Sequence, residues 1–140
     1  MAAPTLLQIM QGIETRLATI SGLQVSDTFT GEITPPTAQV GLPRVTAYHS
    51  TMQRGRMQVA GQIYVFTSRG DERVGQEALA GYANPTGSGS VVAAVYGDKT
   101  LGGVVEDIIV RSFEPLGADE VGDIPYFVGV FEWEVVALGA

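Results

Sequence analysis

The segment "GSGSVVAAVYGDKTLGG", residues 87–103, surrounds a short apolar run with glycines and places Gly97-Asp98-Lys99-Thr100 after it. Two kinds of phosphate chemistry use glycine in this way. A dinucleotide fingerprint, G-x-G-x-x-G, hangs from a strand and opens a helix, so that the pyrophosphate meets the helix N-terminus. Gly87-Ser88-Gly89 begins that pattern, but Val92 occupies its last position, and Asn84-Pro85-Thr86 precedes it in place of a strand. A P-loop fails as well, because Asp98 separates Gly97 from Lys99 and no glycine-rich turn surrounds that lysine. We read Ser88 to Ser90 as a helix entry and Gly97, Gly102 and Gly103 as turn residues.

Carboxylates offer the next possibility. Glu132 and Glu134 share one face of a strand, a spacing that acid–base chemistry could use. Their neighbours Phe131 and Trp133 alternate with them, so the two glutamates read as the wet side of a half-buried strand. Asp119, Glu120 and Asp123 crowd one segment, but the spacing of an EF-hand is absent and a solvated acidic loop is expected there. His49 is the one histidine, and a single imidazole cannot build a histidine-rich metal site. The chain has no cysteine, which removes disulfides, thiolate metal sites and cysteine nucleophiles. We expect no catalytic set, no cofactor and no metal. Arg44, Arg54 and Arg56 are three of the seven arginines and fall on or near one hairpin with Gly55 at its tip. These four residues are the candidate partner interface.

Elements must hold these residues in place, and the composition permits them. With 140 residues, 45% apolar and 16% charged, the chain can bury a core without staples, and one domain over residues 1–140 is expected. The net charge is −7, with only eight lysines and arginines, too few for a strong grip on phosphate backbones. No apolar run approaches the ~20 residues that cross a bilayer. The start, Met1-Ala2-Ala3-Pro4-Thr5, has no basic stretch ahead of its apolar one, so no secretory signal is expected.

Thr5 and Gln8 match a capping box. Leu6, Ile9, Met10, Ile13, Leu17 and Ile20 follow at spacings of three and four, an amphipathic helix closed by Ser21-Gly22. Extended segments are expected over 23–30, 38–42 and 45–52, with Pro43 confining its neighbours to a strand end or edge. Gln53 to Arg56 reads as a hairpin tip and Met57 to Ser68 as the return strand, alternating Met57, Val59, Gly61, Ile63 and Val65 with Gln58, Ala60, Gln62, Tyr64 and Phe66. Asp71 starts a second helix that Asn84-Pro85 ends, and Ser88 or Ser90 caps a third, short one through Tyr96. Val104–Phe113 is expected as a strand, Glu114–Asp123 as an acidic loop, and Ile124–Leu138 as the last strand. Strands joined without crossover helices imply an α+β fold: a mostly antiparallel sheet with the N-terminal helix and two short helices packed on one face.

Three segments carry a resemblance. They are "LATISGLQV" with "ITPPTAQVGLPRV"; "MQVAGQIYVFTS" leading to "RVGQEALAGYANPTGSGSVVAAVYGDKTLGGVVEDIIV"; and "YFVGVFEWEVVAL". In order and spacing they resemble the tail terminator (tail completion) proteins of long-tailed bacteriophages. The resemblance implies a non-enzymatic virion protein at the tail–neck junction, assembled in the host cytoplasm. It would form a homo-hexameric ring that ends tail-tube polymerisation. The implied partners are other copies of itself, the tail tube protein and the head-neck connector protein. Genome DNA would pass through the lumen without specific binding, and no membrane is involved. The acidic balance suits that passage, because like charge keeps DNA from adhering. Other readings of the sequence are a neck connector, a tail-tube subunit, or a small-ligand-binding module or enzyme.

Overall fold

The structure is a computed structural model, and it describes residues 5–20, 23–26, 37–47, 56–68, 72–87, 89–121 and 124–138. The fold is α+β. In chain order the elements are α1 (Leu6–Leu17), β1 (Gln24–Ser26), β2 (Thr37–Val40), β3 (Arg44–Ala47), β4 (Arg56–Ser68), α2 (Glu72–Ala83), α3 (Val91–Tyr96), β5 (Asp107–Val121) and β6 (Ile124–Leu138).

Alternation in β4 and β6 builds the centre of the sheet. These two strands run antiparallel from Arg56 opposite Leu138 to Ser68 opposite Tyr126. The sheet order is β1-β2-β4-β6-β5, and β3 also lies against β4. Thus β2 and β3 share one margin of β4, end to end. Val40 lies opposite Ile63 and Arg44 opposite Ala60, with the kink Gly41-Leu42-Pro43 between them. β1 runs parallel to β2, the one parallel pair among the described strands.

The period of two sorts each strand into faces. Met57, Val59, Ile63 and Val65 of β4, with Phe131, Trp133 and Val135 of β6, are buried against the helices. The capping box of α1 is complete: Thr5 Oγ1 accepts from the Gln8 amide at 3.1 Å, and Gln8 Oε1 accepts from the Thr5 amide at 2.9 Å. The α1 stripe then buries Ile9, Ile13 and Leu17, while Leu6 and Met10 pack at its margin. Leu79 of α2 and Val91 and Val95 of α3 join the same core, so all three helices cover one face. Ser90 caps α3 by accepting from the Ala93 amide at 3.1 Å, and its hydroxyl donates to the Asn84 carbonyl. The expected caps Ser88 and Asp71 lie outside the described residues, as do Ser21 and Gly22, and α1 ends at Leu17 with Ala18 as its C-cap, ahead of the closure expected at Ser21-Gly22.

Two expectations need correction. The segment from Glu114 to Asp123 is not a loop through most of its length, because β5 continues to Val121 and pairs with β6 as far as Val121 opposite Ile124. Val104 to Glu106 are turn residues, and the strand begins at Asp107. Register shifts lie between Val110 and Ser112 and between Pro115 and Gly117, and the second falls within the segment expected to be a loop. Each inserts one extra residue, Arg111 or Leu116, and so breaks the alternation that marks a strand. Pro115 is tolerated because β5 is an edge strand whose outer side needs no ladder partner.

Candidate functional site

The glycine-rich segment resolves into a closed turn. Asp98 Oδ1 accepts from the Thr100 amide at 3.2 Å and the Thr100 hydroxyl at 2.8 Å, and its Oδ2 accepts from the Gly102 amide at 3.0 Å. The Gly103 amide donates to the Thr100 carbonyl at 3.0 Å. The amides that a phosphate cradle would turn outward are therefore already occupied. The Thr100 hydroxyl, followed by the Gly102 amide, holds the Asp98 carboxyl below its ordinary value of 3.8. Leu101 has φ 52°, and Gly102 and Gly103 follow at 75° and 92°. This left-handed run turns the Leu101 side chain inward, where it is buried against Gly12 of α1. Arg16 closes the other side, its Nε donating to the Ala94 carbonyl at 2.9 Å.

On the opposite, helix-free face, the kink at Gly41–Pro43 and the bulge at Arg111 leave a hollow of about 280 Å³. Arg44, Gln62, Tyr64, Arg111, Glu132 and Glu134 supply its polar wall, with Leu42 at the rim. Arg111 Nε lies 2.5 Å from Glu134 Oε2, and the Ser112 hydroxyl donates to Glu132 Oε2 at 3.4 Å. The Tyr64 hydroxyl donates to Gln62 Oε1 at 2.5 Å. Glu132 and Glu134 thus stand on the wet side of the sheet, as the alternation requires. Among the described residues, no three of His, Cys, Asp and Glu gather into a metal site.

The candidate interface separates into unlike parts. Arg44 begins β3 opposite Ala60; its side chain is exposed and makes no hydrogen bond or ion pair with any described residue. Arg56 begins β4, and its Nε lies 2.8 Å from Glu106 Oε2, so part of its charge is committed within the chain. Arg54, Gly55 and His49 lie outside the described residues, as does Asp123. Arg111 and Leu42 were not singled out by spacing. Arg111 is the extra residue of a bulge, and Leu42 belongs to a kink, so neither obeys a strand period.

The margin of β5 is capped from outside. The Val110 amide donates to the Tyr96 hydroxyl at 2.9 Å, so α3 satisfies an edge group that would otherwise face solvent. No helix among the described residues is long and apolar enough to cross a membrane. Compared with known proteins, the chain matches no protein-family model, and no curated protein matches it.

Proposed function

We propose that the chain is a tail-terminator-like virion protein that closes into a ring at the end of a phage tail tube. The ring stops tube growth and joins the tail to the head-neck connector, and genome DNA passes through its lumen without specific binding. One observation carries the reading. The long segment on which the resemblance chiefly rests forms a continuous helix–turn–strand unit, α2 and α3 followed by the Leu101–Gly103 turn and β5. That is the step the resemblance describes. The sheet also has two dissimilar margins, β1 with β2 and β3 on one side and β5 on the other. A closed ring of identical subunits joins unlike surfaces head to tail, and such margins suit that contact.

Electron microscopy of the purified chain, alone and with tube protein added, tests the proposal. Single rings that cap tubes are expected. Long cylinders of the chain by itself would identify a tube subunit. Deleting the gene should leave filled heads beside unattached tails of uncontrolled length. Tails of normal length joined to heads after deletion would overturn the proposal.

A further inference from the structure

We infer that neighbouring copies join through the β3 margin of one and the β5 margin of the next, with Arg44 set against Asp107 and Leu42 against Ile109. The inference rests on the proposed ring and names the contact that would close it.

The four residues share the helix-free face. Arg44 lies opposite Ala60, Ala60 opposite Glu134, and Glu134 opposite Ile109, so one transverse row runs from margin to margin. Because β3 and β6 are both antiparallel to β4, and β5 is antiparallel to β6, β3 and β5 run in opposite directions. A copy placed beside this one in the same orientation therefore sets its β5 antiparallel to β3. A slip of two residues from the level row puts Arg44 opposite Asp107. Leu42, in the kink just before β3, then falls on the side of Ile109.

The chemistry matches at both places. Leu42 is 82% exposed and Ile109 45%, two of the four large apolar side chains left in water among the described residues. Arg44 is an exposed cation without a described partner, on a chain of net charge −7. Asp107 accepts from the Ile108 amide at 2.9 Å and lies 3.8 Å from Lys99, and both charged side chains are about half exposed, so its carboxylate can still take a cation from outside. An apolar pair beside an ion pair that selects the partner is a common plan of protein interfaces. Tyr96 favours recognition through side chains, because its hydroxyl occupies the Val110 amide and blocks continuation of the backbone ladder there.

The chain contains no cysteine, so the contact can be trapped. Leu42→Cys and Ile109→Cys are made as separate variants, checked for native circular dichroism, and oxidised alone or mixed. Covalent dimers are expected in the mixture and not in either variant alone. Equal dimer formation by a single variant would mean a two-fold contact and would overturn the pairing. Rings seen without cross-linking in the mixture would also overturn the pairing and leave the ring itself standing. A wild-type chain that stays monomeric in mass photometry at every concentration, with and without tube protein, would overturn the ring and the pairing together. Charge reversal provides an independent arm. Arg44→Glu and Asp107→Arg should each lower the ring fraction about tenfold at physiological salt, and the double variant should restore it. A double variant no better than the singles would refute the Arg44–Asp107 contact.

Discussion

Gly61 and Trp133 face each other across the central strands, and the indole occupies the space that a side chain on residue 61 would need. A Cβ at that position would stand 2.5 Å from Trp133 Cζ2 and 3.1 Å from Pro43 Cβ. Trp133 is 1% exposed, so it has little room to retreat. Gly61→Ala should therefore cost about 1–3 kcal/mol, as overpacking of a dense core does. Trp133 is the only tryptophan, so its emission reports the displacement directly. Urea unfolding with the midpoint and emission unchanged would refute the steric argument.

Ile13 tests the seat of α1. It is 0% exposed and lies in the core with Leu17 and Ile63. Ile13→Ala should cost about 2–5 kcal/mol through lost burial and the cavity left behind. Ile13→Asp should prevent stable folding, because a buried carboxylate would have no partner. A melting temperature insensitive to Ile13→Asp would show that α1 does not pack as described.

Asp98 gives a pH signature. Its carboxyl titrates below the ordinary 3.8 in the folded chain, so its stabilising contribution is complete above that value. The contribution disappears as pH falls through the lower folded value. Asp98→Asn should therefore melt below wild type at neutral pH, and the two curves should converge well below pH 3.8. A gap that stays constant with pH would mean that the carboxylate does not organise the turn. Calorimetry with ATP, GTP or NAD should show no binding at residues 87–103, since Asp98 already holds the turn amides.

Tyr96→Phe should leave the core intact and free the Val110 amide at the edge. Hydrogen exchange at Val110 should accelerate. The loss of stability should be small, about 0.5–1.5 kcal/mol, because water can replace the hydroxyl. Unchanged exchange at Val110 would mean that the hydroxyl does not guard the edge.

Periodic patterns were legible in the sequence, and interruptions of pattern were not. The α1 stripe, the capping box, the alternation of β4 and β6 and the Ser90 cap all follow from local spacing, and the structure reproduces them. The strand was legible over Asp107–Phe113, but its continuation to Val121 was not, because Leu116 shifts the phase and Pro115 imitates a loop. The parallel pairing of β1 with β2 has no local signal at all, since it depends on where each strand finds room. The hollow escaped notice for the same reason. It needs the kink at Leu42, the bulge at Arg111 and the strand pair Gln62–Glu132 to meet in space.

The place of β6 in the sheet has a consequence for synthesis. It is the last strand in the chain order, yet it lies between β4 and β5 and pairs with both. During translation β4 waits with one side open, and β5 has no strand to pair with, until Ile124–Leu138 has left the ribosome. Such non-local pairing is slow to form and leaves strand edges exposed while it is incomplete. A nascent chain consequently lacks the β5 margin until β6 is in place, so the proposed contact between copies cannot form before then.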